Sequence, residues 1–248
     1  MSAISLGRTR RNAFTGALCA LVVAGSGLLS GCAEDPDEGT NGVGKLPAEQ
    51  IQKKARAAAD AADTVRLAGD VVTNGRTYRL DMRLSGDGAT GSVTTKGIAF
   101  ALLRVGEHLY VKADATFWSH AADGSGDANA ADKLGGKYVK VPQGDPAYQK
   151  FSGFTEKDVL LDGLLTLHGT LATAGHAEQS GTRTIRVTGG GGSGGTLDVS
   201  LEGKPYPLRL ERAGDAGTLT FTSWGTPLTL TEPKNGETVD YGKQLPTS

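Results

Sequence analysis

Cys32 has the neighbourhood that most clearly prescribes chemistry. It follows Leu29-Ser30-Gly31, and upstream lie Arg8, Arg10 and Arg11 and an apolar run from Ala13 to Leu29 that includes Phe14, Leu18, Leu21, Val22, Val23 and Leu28. A basic flank, a short apolar stretch and small residues before a cysteine, in that order, form a lipoprotein export signal. The peptidase holds the small residues extended while the cysteine sulfur carries a diacylglyceryl group. Cys32 is therefore expected to be acylated, with palmitate as a representative chain, and to become the first residue of the mature protein. The apolar run is broken by Gly25 and Gly27 and is too short to cross about 30 Å of hydrocarbon as a permanent helix. Residues 1–31 read as a signal peptide, and the expected location is the extracytoplasmic face of the cell membrane, lipid-anchored. Thr9-Arg10-Arg11 matches a twin-arginine signal loosely.

Other residues able to do chemistry are present but are not arranged for it. His108, His120, His168 and His176 show neither metal-ligand spacing nor an adjacent cysteine, so no metal or other cofactor is expected. Gly189, Gly191 and Gly194 satisfy a G-x-G-x-x-G spacing. No helix pattern follows and no acid stands about twenty residues further on in a βαβ unit, so the stretch reads as a mobile inter-strand loop. Asp123-Gly124-Ser125-Gly126-Asp127 begins like a calcium loop, but Ala128 replaces the glycine of the sharp turn and Leu134 replaces the bidentate acid. The one Gly-x-Ser-x-Gly spacing, Gly191-Gly192-Ser193-Gly194-Gly195, lies in the same glycine loop with no helix pattern after it and so makes no nucleophile elbow, and the acids alternate with arginines in the manner of a solvated strand face. No catalytic constellation results, and an enzyme is not expected.

Cys19 and Cys32 are the only cysteines, and Cys19 lies in the discarded segment. The mature chain thus forms no internal disulfide and must be held by its core. Removing residues 1–31 takes three arginines and no acid, leaving 23 basic against 27 acidic side chains, a charge of −4. The densest basic group, Lys53-Lys54 with Arg56, is short and falls on a helix pattern, which argues against a nucleic-acid surface. Residues 32–45, containing Glu34-Asp35-Pro36-Asp37-Glu38-Gly39, read as a flexible, solvated tether. Residues 46–248 read as one domain of about 200 residues.

The elements that must position any site follow from the period of the apolar residues. From Pro47 to Asp63, Ile51, Ala55, Ala58, Ala59 and Ala62 share one helical face, and its alanines suit close approach to a sheet. From Val65 the period is two. Val65, Leu67 and Val71, then Tyr78, Leu80, Met82 and Leu84, alternate with charged residues across Asn74-Gly75, which predicts a hairpin with one wet and one apolar face. Ser85 to Gly88 turns the chain toward Ser92–Thr95 and Ile98–Val105. The latter is apolar on both faces and is expected to be central and covered on both sides. Gly106-Glu107 leads into a strand over His108–Lys112.

Residues 113–136, with Phe117-Trp118 and a helical patch at Ala130–Leu134, read as a crossover lying over one sheet face. Tyr138–Val141 reads as a strand and Asp158–His168 as a leucine-dense helix that is buried on most sides or closes over an apolar interior. His168 would sit at the C-terminal end of that helix, where a cation suits the dipole. Strand pattern returns at Thr184–Val187, Leu197–Leu201, Tyr206–Leu210, Leu219–Phe221 and Leu228–Leu230. Strands in series without βαβ alternation predict an α+β fold: a single curved antiparallel half-barrel sheet of about ten or eleven strands, with helices covering its concave face.

Four stretches carry a family resemblance: Leu84–Gly88, Leu103–Trp118, Gly136–Val141 and Gly203–Leu210. Leu109-Tyr110-Val111-Lys112 with Phe117-Trp118, and Gly203-Lys204-Pro205-Tyr206-Pro207-Leu208-Arg209, are the most specific. These resemble the actinobacterial lipoproteins of the LppX/LprA/LprF/LprG group, which are distantly similar to the periplasmic lipoprotein carrier LolA. The resemblance spans most of the mature chain, from Leu46 to Tyr241, and implies a half-barrel with helices across its mouth and an apolar cavity for lipid chains. An excess of apolar side chains marks where such a cavity would lie here. Leu80, Met82, Leu84, Phe100, Leu102, Leu109 and Val111 are expected on one sheet face, with Leu208 and Phe221 from later strands. Phe117, Trp118, Leu160, Leu161 and Leu164 are expected from the covering helices.

The implied partners are lipid or acylated cargo, the membrane through the Cys32 anchor, and an envelope protein. The implied function is carriage of lipid or lipoprotein cargo in the envelope; the alternative is a tethered sensor or interaction module that uses the same fold. Carriage needs no chemistry. An acyl chain gains about 0.8 kcal/mol per CH₂ on leaving water but little on passing from a bilayer into an equally apolar cavity.

Overall fold

In the computed structural model, which describes residues 35–121 and 128–240 (backbone alone at 120, 121 and 128–130), the first hairpin joins β1 (Thr64–Thr73) to β2 (Arg76–Ser85). Asn74 and Gly75 both have positive φ, 50° and 69°, in the two-residue turn that Thr73 and Arg76 close. Both central residues left-handed is the turn whose twist matches a hairpin. Lys96-Gly97 repeats it between β3 (Gly88–Thr95) and β4 (Ile98–Val105), and Ser180-Gly181 between β7 (Leu171–Gln179) and β8 (Thr182–Gly189). The remaining strands are β5 (His108–Ala113), β6 (Tyr138–Val141), β9 (Thr196–Ser200), β10 (Pro207–Glu211), β11 (Thr218–Thr222) and β12 (Thr238–Asp240). The helices are α1 (Ala48–Asp60), α2 (Ala115–Ala121), α3 (Ala128–Leu134), α4 (Pro146–Ser152) and α5 (Lys157–Leu164).

Twelve strands of the described residues form one curved, unclosed sheet in the order β12-β6-β5-β4-β3-β2-β1-β11-β10-β9-β8-β7. Every neighbouring pair is antiparallel except β12 with β6, which is parallel. The α+β half-barrel read from the sequence is thus the observed architecture, with one strand more than the expected upper count. Strict alternation puts Leu80, Met82 and Leu84 on the helix-bearing face at no more than 2 % exposure. On the other face of β1 and β2, Arg66 reaches Asp81 with two hydrogen bonds of 2.8 and 2.7 Å, and Arg79 reaches Asp70 at 3.0 Å.

Several elements differ from expectation, each for a physical reason. Residues 228–230 are not a strand; they belong to a strap that runs from β11 along the strand ends to β12. β7 shows no apolar alternation because, at the sheet edge, six of its nine residues are exposed and none is buried. α4 is an additional helix, started by Asp145, whose side chain accepts from the Ala147 N–H at 2.7 Å, and by Pro146 in the first turn. The leucine-dense helix ends at Leu164 rather than His168, and side chains satisfy carbonyls at that end: Gln52 Nε2 donates to Leu165 O at 2.9 Å and Thr166 Oγ1 to Asp162 O at 3.1 Å.

His168 therefore does not cap a helix. Its N–H donates to Gly194 O, and the loop from Gly189 to Gly195 is tied by its own backbone hydrogen bonds and packed on the His168 carbonyl, where a Cβ on Gly189 or Gly194 would collide. Gly189 and Gly194 thus serve close packing, while Gly191 and Gly192 supply left-handed backbone at the loop's open side.

The described end of the expected tether is also attached. Asn41 donates through Nδ2 to Ser200 O and Gly203 O at 3.0 and 3.1 Å and through its N–H to Leu201 O. His176 pairs with Asp37 at 3.1 Å, and Val43 is buried. From Asp35 onward the chain lies on the domain, although its composition is that of a spacer. The signal peptide 1–31, the anchor Cys32 and the calcium-like stretch 123–127 lie outside the described residues. No helix among the described residues is long and apolar enough to cross a membrane.

Candidate functional site

The helix-bearing face divides into two halves with different covers. Over β7–β11, α1 turns Ile51, Ala55 and Ala59 inward, all at 0 % exposure, and the small alanines let the helix lie close to Ile185, Val187, Leu197 and Val199. Over β4 and β5 lies α2, and α4 reaches β4 through Phe151 on Phe100; α3 packs on α2 and α5 on α1, and none of the four is longer than eight residues. α5 is held to α1 at two points. Lys157, only 5 % exposed, donates to Asp60 O at 3.2 Å and pairs with Asp158 at 2.8 Å, placing a cation at the carboxyl end of α1. Arg56 pairs with Asp162 and bonds Thr166 Oγ1 at 2.9 Å. The α4–α5 connection is pinned by Arg104, whose Nη2 donates to Thr155 O at 2.9 Å, and by Tyr148 Oη to Glu107 O at 2.8 Å.

Of the expected site residues, Leu80, Met82, Leu84, Phe100, Leu102, Leu109, Val111, Trp118, Leu161, Leu164 and Phe221 join one buried cluster, with Phe117 and Leu160 partly buried against it. Leu208 does not join it. β10 carries a bulge against β9 between Pro207 and Arg209, so Pro207 and Leu210 face inward and Leu208 is the extra residue, left half-buried. β4 is less evenly covered than its two apolar faces suggested: Leu103 and its partner Tyr110 are buried on the far face at 8 % and 3 %, while Ala99 is exposed.

These side chains fill the interior instead of lining a void. A space wide enough for an acyl chain would expose its walls to a sphere the size of water, yet Leu80, Met82, Leu84, Leu102, Leu109 and Val111 expose 0–2 %. The looser region is aromatic. Phe100 lies 5.1 Å from Phe117 and 5.5 Å from Phe151 between ring centroids, Phe117 lies 4.9 Å edge-on to Trp118, and Tyr78 lies 6.0 Å from Phe154. Phe117, Phe151, Phe154 and Tyr78 are only partly buried. Phe151, Phe154 and Tyr148 were not among the expected site residues; Asp145-Pro146, an N-cap followed by a first-turn proline, is the signal that places Tyr148 and Phe151 on a helix, with Phe154 in the turn after it.

Two clefts lie outside this cluster. One of about 860 Å³ opens at the strand ends among Asp60, Asp63, Asp87, Asp158, Lys157, Val105 and the strap residues Pro227 to Leu230; none of the expected site residues lines it. A smaller one of about 190 Å³ lies by His168, Gly194 and Arg212, and Leu164 is the one expected residue on its wall. The strap is fastened by Glu232, which meets His108 Nδ1 at 2.6 Å and accepts from Tyr110 Oη at 3.1 Å. The bond from His108 and then that from Tyr110 hold the Glu232 carboxyl below its ordinary pKa. Burial, and after it Glu232, raises the Tyr110 phenol. Among the described residues no three histidine, cysteine, aspartate or glutamate side chains are grouped to hold a metal ion.

No protein-family profile matches the chain, and no curated protein matches it. Among solved structures, LprF from Mycobacterium bovis superposes with a TM-score of 0.53 at 16 % identity, over 75 % of this chain and 96 % of that one. The lipoprotein LppX from Mycobacterium tuberculosis gives 0.46 at 15 % identity, over 73 % and 97 %. An uncharacterized conserved protein from Thermus thermophilus gives 0.38 at 12 % identity, over 78 % and 98 %.

Proposed function

We propose, from a chain that carries the LprF-type lipoprotein fold, that this protein is held at the extracytoplasmic face of the cell membrane by acylated Cys32 and binds lipid acyl chains beneath α2, α4 and α5. It would pass lipid or acylated cargo across the envelope, with no catalytic step. The observation that carries this reading is the pairing of a continuous apolar sheet face with a cover of helices of seven or eight residues, one of which, α4, has no fully buried side chain. Helices this short are marginal alone and depend on what they rest on. An acyl chain offers the same apolar contact as the side chains it displaces, so separating the cover from the sheet costs little once a chain has entered.

The test uses the full chain with Cys32→Ser, which lacks the acyl anchor and should leave the membrane fraction. Mass spectrometry of an organic extract of the purified protein should find bound lipid, and a fluorescent acyl probe should be taken up and displaced by competing lipid. Absence of both lipid and probe uptake overturns the binding reading. Retention of the Cys32→Ser chain on membranes after a salt wash overturns the anchor.

A further inference from the structure

Among the described residues three buried side-chain polar atoms have no hydrogen-bond partner: Thr95 Oγ1, Trp118 Nε1 and Thr184 Oγ1. Buried donors without partners are rare in folded proteins because each forfeits its bonds to water. Thr184 lies on β8 between Ile185 and Arg183, opposite Ser200, on the face away from α1, and has no bearing on the interior. The other two lie on the helix side. Thr95 is two residues from Val93, hence on the same inward face, and it pairs with Tyr78 and Ile98. Trp118 is 3 % exposed, with its ring against Phe117, which in turn meets Phe100. The second tryptophan, Trp224, shows the ordinary solution: its Nε1 donates to Pro207 O at 3.1 Å.

We propose, resting on the lipid-binding reading above, that Trp118 Nε1 is the donor for an ester carbonyl of the bound lipid, and that Thr95 Oγ1 marks a second polar point on the same ligand. An indole N–H only donates, so it selects an acceptor. That acceptor is neutral. The cluster beneath α2 and α4 holds no cation, and Lys157, the one buried cation among the described residues, is already engaged by Asp60 O and Asp158. A carboxylate there would be a buried charge without a partner, which disfavours free fatty acids. An acyl ester supplies an apolar chain for the aromatic surroundings and a carbonyl for the N–H. The ligand class is thus esterified lipid rather than free acid or plain hydrocarbon.

The experiment compares monopalmitoylglycerol with hexadecyl glyceryl ether, which has the same chain and no carbonyl, on the full chain carrying Cys32→Ser. Affinities come from displacement of the acyl probe, and the two indole N–H resonances are followed by NMR, Trp118→Phe identifying which belongs to Trp118. The ester should bind about three- to tenfold more tightly than the ether, the yield of one hydrogen bond, and should move the Trp118 indole proton downfield. Trp118→Phe should remove that preference, so that ester and ether bind alike; Thr95→Val should weaken the ester in the same sense. Equal binding of ester and ether with an unmoved indole resonance overturns the assignment while lipid binding stands. Binding of neither compound overturns the lipid-binding reading itself. If Trp118→Phe does not fold, the ester–ether preference and the indole shift in the parent chain decide the question.

Discussion

Over β7–β11 the sheet is covered by a single helix of thirteen residues whose buried positions are Ile51 and alanines; over β4 and β5 it is covered by α2 and α4, each of seven residues and met through aromatic rings. The first arrangement keeps backbone close to backbone and leaves nothing that can shift without opening a gap. The second rests on side chains with rotatable bonds, several of them partly exposed. Both halves bury aliphatic strands equally well, so burial alone does not distinguish a permanent core from a binding surface. The length and grip of the covering helices do.

The largest effect that would break this comparison is in core truncation. Leu197→Ala, beneath α1, should cost about 3–5 kcal/mol because the rigid surroundings leave a cavity, whereas Phe100→Ala, beneath α2 and α4, should cost only about 2 kcal/mol despite the larger side chain because the short helices can close in. Denaturant unfolding of both variants decides it, and a greater loss for Phe100→Ala would remove the distinction between the halves.

A smaller effect should sharpen it. Removing the α4 cap with Asp145→Ala should cost about 1 kcal/mol and speed amide exchange in α4 while leaving α1 protected. Equal acceleration in both helices, read by hydrogen–deuterium exchange, would mean that the two covers open as one unit.

The smallest concerns the strap that links β11 to β12. Because bonds from His108 and Tyr110 lower the Glu232 carboxyl, its contribution is fully present above the ordinary carboxylate value of about 4.3 and is lost as pH falls through the lower folded value. Exchange in residues 228–237 should rise on acidification below about pH 4, and Glu232→Gln should abolish that dependence. Loss of α1 protection over the same pH range would show that the strap holds both halves.

The local pattern of the chain determined whatever is decided by which side of an element meets water. Asn74-Gly75 could close only a left-handed turn, the alternation of Tyr78 to Leu84 placed one face inside, and the alanines from Ala55 to Ala62 announced close helix packing; from these came the α+β half-barrel and most of the buried cluster. The same reasoning missed β7 because an edge strand wet on both faces has no alternation to read, and it missed the side that Leu208 takes because the bulge in β10 reverses parity only through pairing with β9. The carbonyl at the end of α5, Leu165 O, is met by Gln52, over a hundred residues away, and the Gly189–Gly195 loop packs on the His168 backbone. No local pattern could show that Trp118 would be buried with an N–H that none of the described residues accepts. Periodicity records exposure along one element, whereas registers, helix ends and unpaired donors are settled between elements that meet only when the sheet has formed.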